Sequence, residues 1–229
     1  MTWAILPAAG RGARFGAELP KQYLQIAGRS LLEHSVRGVL ASSDVDGVMV
    51  ALAPDDAHWP GWREIDGRPI YTCIGGNERA DSVLAALQAL PATVSDEQWV
   101  LVHDAARPCL RPRDLERLLQ VGKTDPVGAL LAAPVRDTLK RADHLGHSQS
   151  TEPREWLWRA LTPQLFRRGG LTRALTAALK AGARVTDEAM AMERLGLRPC
   201  LVEGSEDNLK VTTPADLALA EFVLSRIHA

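Results

Sequence analysis

Short apolar runs alternate with stretches of helical periodicity along most of this 229-residue chain. The first run, Trp3-Ala-Ile-Leu6, reads as a buried strand that empties into a loop carrying Gly10, Gly12 and Gly16. Ser30-Leu-Leu-Glu33 has the spacing of a capping box, and Leu32, Val36, Val39 and Leu40 recur behind it at helical intervals, predicting a helix over about 30–42. Gly47–Ala53 and Pro69–Ile74 are continuous apolar runs, the pattern of strands buried on both faces. The second stops at Gly75-Gly76 and precedes a helix with an apolar stripe of Val83, Leu84, Leu87 and Leu90. A strand over Trp99–Asp104, a helix over Asp114–Gln120 and a strand over Gly128–Val135 continue the alternation. It breaks at about 136–158, where Arg136–Ala142 and Arg154–Trp158 flank a polar stretch with Gly146 and Pro153, which predicts an antiparallel hairpin. Such an arm is too small to bury Trp156 and Trp158 by itself, so a partner subunit is the expected cover. Helical patterns resume over about 163–181 and 187–195, and Arg198–Glu203 makes another strand. Thr213-Pro214 then looks like an N-cap with proline at the first helical position, opening a terminal helix to about residue 227.

Alternating strands and helices predict an α/β fold, a mostly parallel sheet with helices on both faces and a projecting β-hairpin arm. Sheets of this kind bind ligands beyond the carboxyl ends of their strands, where Gly10, Gly75-Gly76 and Asp104 all fall. The length suits one domain over 1–229. A net charge of −1 gives no general attraction to nucleic acid or to an anionic membrane, so any basic site is local. Cys73, Cys109 and Cys200 are widely spaced and odd in number, which suggests buried thiols rather than a disulfide framework or zinc cluster. With no bilayer-length apolar stretch and no leader-like N-terminus, a cytoplasmic protein is expected.

The glycine loop is the first candidate for chemistry, since such loops offer backbone N–H groups to phosphate, and Arg14 and Lys21 add charge beside it. A Walker A loop is excluded, because Lys123-Thr124 lacks the preceding glycine spacing. The dinucleotide fingerprint is nearly met by Gly10, Gly12 and Gly16, but Pro20 interrupts where a helix should open. What remains is a long cationic loop laid over a polyphosphate. Asp104, at the end of an apolar strand, suits holding a hydroxyl of a substrate or ribose, orienting a water on Mg²⁺, or capping the turn. Its neighbour His103 has no second histidine or carboxylate motif beside it and reads as structural. Gly75-Gly-Asn-Glu-Arg-Ala-Asp-Ser82 offers backbone groups and the Ser82 hydroxyl for reading the edge of a pyrimidine, although Ser82 is also a plausible helix-terminal residue. Lys210, between Leu209 and Val211, alternates away from apolar neighbours and by pattern alone is a solvated lysine.

In order along the chain, PAAGRGARFG, PKQY, GGNERADS, VHDAARP, APVRDT, WRALTPQ, TDEA and VEGSEDNLKVTTP resemble the sugar-phosphate nucleotidyltransferases, and specifically the 2-C-methyl-D-erythritol 4-phosphate cytidylyltransferases of the non-mevalonate isoprenoid pathway. The resemblance implies a Rossmann-like fold of nucleotidyltransferase type and a cytoplasmic homodimer using CTP and Mg²⁺ or another divalent cation. Each arm would reach into the neighbour's site. By matching positions, Arg14 and Lys21 would stabilise the transition state, and Arg154 and Lys210 would position the acceptor phosphate. Arg159 and Arg168 are nearby alternatives to Arg154. Asp104, Arg107, Thr138, Thr162 and Thr186 would line the sugar-phosphate side; Ala8, Ala9, Gly10, Gly12, Gly76, Asn77 and Ser82 would line the nucleotide side. Two other functions fit a similar chain: a ribitol-5-phosphate cytidylyltransferase, which generally departs from Ala105-Ala106-Arg107, and a non-catalytic nucleotide-binding protein of the same fold.

Overall fold

The structure, a computed structural model, describes residues 1–10 and 19–227. Strand β1 (Thr2–Pro7) leads to a 3₁₀ turn (Lys21–Tyr23), a ribbon of β2 (Gln25–Ile26) and β3 (Arg29–Ser30), and helix α1 (Leu31–Leu40). Then follow β4 (Val45–Leu52), β5 (Glu64–Ile65), β6 (Arg68–Ile74), α2 (Arg79–Ala89), β7 (Trp99–Val102), α3 (Pro112–Gly122) and β8 (Gly128–Pro134). The chain continues through β9 (Leu139–Ala142), β10 (Ser148–Glu152), β11 (Trp158–Arg167), α4 (Arg168–Lys180), α5 (Glu188–Glu193), β12 (Cys200–Glu203) and α6 (Pro214–Ile227).

Among the described residues, eight strands form one sheet in the order β12-β8-β11-β7-β1-β4-β6-β5. β1 runs parallel to β4 and β7, β4 to β6, and β12 to β8, whereas β11 is antiparallel to both its neighbours. Successive residues of β1 point to opposite faces, and both faces are covered, which is why the strand reads as an unbroken apolar run. Ala4 and Leu6 join Val36 of α1 and Leu115 and Leu118 of α3 in one core. Ile5 joins Val83 and Leu87 of α2, Leu171 of α4 and Ala191 of α5 in the other. The terminal helix α6 closes a third cluster, with Val223 and Leu224 against Ile26, Leu31 and Cys109. The caps form where the sequence placed them: Ser30 Oγ accepts from the Glu33 amide at 3.1 Å, and Thr213 Oγ1 from the Asp216 amide at 3.3 Å. Glu33 does not complete the capping box, because its carboxylate pairs with Arg37 at 2.9 Å. The three cysteines are free, with Cys109 buried and Cys73 and Cys200 half-buried.

Three expectations are corrected. Pro69–Ile74 lies in β6, but it is not buried on both faces: Ile70 is buried while Tyr71 is 48% and Ile74 65% exposed, because only the two-residue β5 lies beyond it at the sheet edge. The helix predicted from residue 163 begins only at Arg168, and residues 158–167 form the long antiparallel strand β11. Thr162-Pro163 has the look of a helix start, but it lies where the β11 register with β8 shifts between Ala160 and Gln164, a break that tolerates a residue without an N–H. The arm exists as a two-stranded sheet, but its second strand is Ser148–Glu152 rather than Arg154–Trp158, pairing Thr151 with Lys140 and Glu152 with Leu139. Trp158 begins β11 and is partly buried in the main sheet, while Trp156 is 90% exposed.

Candidate active site

The carboxyl ends of β1, β6 and β7 open onto one cavity of about 320 Å³, lined by Ala8, Ala9 and Gly10, by Gly76 to Arg79, and by Asp104 to Ala106. Lys21, Gln22, Lys210 and Thr212 complete its rim. The glycine pair after β6 is demanded by close approach. A Cβ on Gly75 would lie 2.6 Å from the Ala9 Cβ, and one on Gly76 would lie 2.3 Å from the Asp81 Cβ, so this loop presses against the β1 loop and the first turn of α2. Ser82 Oγ accepts from the Gly76 amide at 3.1 Å and lies within donating distance of the Gly76 and Glu78 carbonyls. On the other wall, Gln22 Nε2 donates to the Ala8 carbonyl at 2.7 Å. Both walls thus have fixed backbone, as recognition of a small planar ligand needs.

Asp104 is the electrostatic centre. Its Oδ1 receives Arg79 Nε at 2.8 Å, and its Oδ2 receives Lys210 Nζ at 3.0 Å and Arg107 Nε at 3.3 Å. Burial alone would push this carboxyl up, but the charges of Arg79, Lys210 and Arg107 outweigh it and hold the group well below the usual carboxylate range. Behind it, Thr162 Oγ1 accepts from the Asp104 amide at 3.0 Å and, with its proton aimed at His103 Nδ1 at 2.9 Å, leaves Nε2–H to donate to the Arg107 carbonyl at 3.0 Å. Burial lowers the His103 pKa to about 4, so the ring is neutral at pH 7. Arg107 continues the chain by donating to the Asn208 carbonyl at 2.7 Å, and Asn208 Nδ2 donates to the Thr162 carbonyl at 2.8 Å. A strand end, a turn and the segment before α6 are thereby tied into one polar wall.

A cavity of fixed backbone on one side and a caged carboxylate on the other suits a nucleotide beside a polyol phosphate. The chain matches the sequence model "IspD: 2-C-methyl-D-erythritol 4-phosphate cytidylyltransferase" over residues 2–226. It belongs to that family. It is 68% identical over 224 residues to the 2-C-methyl-D-erythritol 4-phosphate cytidylyltransferase of Stenotrophomonas maltophilia (strain R551-3), covering 98% of this chain and 97% of that one. It is 63% identical to the namesake of Xanthomonas oryzae pv. oryzae (strain PXO99A), covering 98% of this chain and 82% of that one. The crystal structure of the Francisella tularensis cytidylyltransferase, 32% identical, superimposes with a TM-score of 0.82 over 97% of this chain and 99% of that one.

In this cytidylyltransferase-family chain, the candidates Ala8, Ala9, Gly10, Gly76, Asn77, Ser82, Lys21, Asp104 and Lys210 all line this cavity. Lys210 is more than a solvated lysine: its side chain stays 38% exposed, but its ammonium lies 3.0 Å from Asp104 Oδ2. Ser82, 3% exposed, has its hydroxyl turned into its own loop, so it shapes that loop. Arg107 and Thr162 stand behind Asp104 rather than on the cavity surface. Thr138 and Thr186 are exposed and outside the lining. Arg154 is exposed at the foot of the arm, where its guanidinium meets the Arg136 carbonyl. The alternative Arg168 lies at the opposite end of β7 from Asp104, where its amide bonds the Gln98 carbonyl at 2.8 Å. Arg159 pairs with Glu206 at 3.5 Å. Arg14 and Gly12 lie outside the described residues. Sequence reasoning missed Arg79 and Glu188, which lie in the quoted strings GGNERADS and TDEA. Arg79 had a signal: a cation in the first turn of a helix opposes the helix dipole and calls for an anion nearby. Glu188, an acid at a helix start, is unremarkable by the same rule.

Proposed function

We propose that this protein transfers CMP from CTP to 2-C-methyl-D-erythritol 4-phosphate, releasing pyrophosphate, in isoprenoid precursor biosynthesis. The observation that carries the reading is the meeting of the Gly75–Glu78 loop, the end of β1 and the caged Asp104 in one cavity of a chain from this family. Cytosine and ribose sit against Ala8, Ala9, Gly76 and Asn77, with the triphosphate toward Gly10. The acceptor lies toward Asp104, which takes a polyol hydroxyl; Arg79, Lys210 and Arg107 keep that carboxylate ionised, and Thr162 fixes the backbone amide of the same residue. The acceptor phosphate oxygen attacks the α-phosphorus of CTP in line with departing pyrophosphate. Both reactants are anions, and two unit charges about 4 Å apart interact by roughly 4 kcal/mol at an effective dielectric near 20. Lys21, Lys210 and, by family resemblance, Arg14 offset that repulsion where charge grows in the transition state. No general base is needed, because the acceptor phosphate is already ionised; a neutral, buried His103 fits this.

Among the described residues no three His, Cys, Asp or Glu side chains cluster, and both Asp104 oxygens already meet cations. A Mg²⁺ held by protein alone therefore does not fit here; one carried by triphosphate oxygens and water, with Asp104 behind a water, does. When bound it supplies charge neutralisation on the triphosphate.

We assign the arm to a homodimer contact. Arg154 stands away from its own cavity and Trp156 is 90% exposed, as expected if both face a partner subunit across a two-fold axis. No described helix is long and apolar enough to cross a membrane; the cytoplasmic setting rests on the family resemblance. The reading is tested by pyrophosphate release with CTP and Mg²⁺ over a panel of polyol phosphates. Turnover with methylerythritol phosphate far above that with ribitol 5-phosphate is expected, and ATP or GTP should replace CTP poorly. Equal turnover on ribitol 5-phosphate would overturn the acceptor assignment, and no turnover on any acceptor would favour a non-catalytic nucleotide binder.

A further inference from the structure

Glu188, fully buried at the start of α5, presents both carboxylate oxygens to the terminal nitrogens of Arg79, at 2.6 and 3.0 Å. This two-bond fork fixes the plane of the guanidinium and leaves Nε aimed at Asp104 Oδ1, 2.8 Å away. Arg79 belongs to the nucleotide wall, since it opens α2 directly after the Gly75–Glu78 loop. Glu188 comes from the other side of the site, two residues after Thr186, the threonine expected on the acceptor side. The α5 start is itself pinned. Gln164, 1% exposed in β11, accepts from the Ala189 amide at 2.8 Å and donates to the N-cap Asp187 at 2.9 Å. Asp104 Oδ1 is held by Arg79, while Oδ2 is held by Arg107 and Lys210, so the rotation of the carboxylate depends on where Arg79 is held. A buried ion pair is weak as a device for stability, because desolvation consumes most of its attraction.

We infer that Glu188 is a positioning residue for the transfer reaction: it keeps Arg79 turned onto Asp104 and away from the triphosphate, so that Asp104 meets the acceptor in one orientation. This deepens the function proposed above and rests on it. Glu188 touches neither substrate and acts through Arg79. Without it, the guanidinium is released toward the anionic nucleotide a short distance along the same wall, and Asp104 loses the partner that sets its orientation.

The test compares E188Q, R79Q and the double variant R79Q/E188Q with wild type, measuring kcat and both KM values. E188Q is expected to lower kcat about 10- to 100-fold, the scale of a small misplacement of a reacting group, while KM for CTP rises less than about threefold. In the R79Q background the same substitution is expected to add less than about a twofold loss, because its only route is already gone. If E188Q does not fold, R79Q against the double variant still decides the matter, since the double variant removes the buried pair together. A full additional loss in the R79Q background, or wild-type kcat for E188Q, would overturn the inference. The Arg79 Nε–H signal in ¹⁵N spectra, recognised by its absence in R79Q, supplies a readout independent of turnover. It should be sharp in wild type and broadened in E188Q; an unchanged signal would also overturn the inference. Wild type inactive on methylerythritol phosphate, with the Arg79 signal responding as expected, would instead sink the functional reading and leave the positioning pair standing.

Discussion

Lys21 sits at the cavity rim in the 3₁₀ turn, with its ammonium 3.4 Å from the Val211 carbonyl. Its position suits a group that meets charge as it develops, so Lys21→Ala is expected to lose about 10² to 10³ in kcat, with a smaller change in CTP affinity. Steady-state kinetics decide it: an unchanged kcat with a raised KM for CTP would make Lys21 a ground-state binder. A second residue-scale expectation concerns His103, whose pKa burial lowers to about 4 against about 6.5 in the unfolded chain. Below pH 6.5 the unfolded chain takes up a proton that the folded ring refuses, so the folded state loses about 3 kcal/mol of stability as pH falls from 6.5 to 4. Asp104, held low by its cations, contributes stability that goes only at still lower pH, as pH falls through its folded pKa. An NMR titration of the His103 ring checks the first step, and a midpoint near 6.5 would contradict it. At this scale continuous strings disclosed Asp104, Gly76, Lys21 and Lys210 as site residues. They did not disclose the pairings that form only in space: by pattern alone Lys210 reads as a surface lysine until the segment before α6 folds it onto Asp104, and Arg79 and Glu188 meet only in the fold.

At the scale of elements, the central strands were readable from unbroken apolar runs like Val48–Leu52 alternating with helical stretches. The same kind of run at Pro69–Ile74 hid that β6, next to the sheet edge, leaves Tyr71 and Ile74 exposed. β11 was not readable, because Thr162-Pro163 imitates a helix start and the true helix α4 follows without a loop. The distinction lies in tertiary pairing: β11 is flanked by β7 and β8, both supplied by distant sequence. The arm was located by its polarity and turn residues, while its strand register depended on pairings the pattern did not contain. The loop between β6 and α2 gives the element-scale prediction. Gly76→Ala would set a Cβ 2.3 Å from the Asp81 Cβ, so the loop must lift away from α2 and from the nucleotide. KM for CTP is expected to rise about tenfold or more, with kcat at saturating CTP changed less, since a lifted wall weakens binding before it alters the reacting atoms. Calorimetric CTP binding equal to that of wild type would show that this wall does not hold the base.

At the scale of the molecule, the proposed dimer predicts that a site takes Lys21 from one subunit and Arg154 from the other. Lys21→Ala and Arg154→Ala homodimers should both be impaired, yet in a heterodimer one site carries both defects and the other carries none. Random exchange makes about half the dimers mixed, each with one intact site of two, so activity should recover to about a quarter of wild type. Verified heterodimers as inactive as their parents would remove Arg154 from the neighbour's site. The central claim is narrower than the assembly: an acceptor phosphate oxygen attacks the α-phosphorus of CTP. It is tested most directly with methylerythritol phosphate whose three terminal phosphate oxygens are ¹⁸O, followed by ³¹P NMR and mass spectrometry of both products. All three labelled oxygens are expected in the cytidine diphosphate ester, one of them bridging the two phosphorus atoms, with none in the released pyrophosphate. Label in pyrophosphate, or CMP formed by hydrolysis with the acceptor left unchanged, would contradict the account.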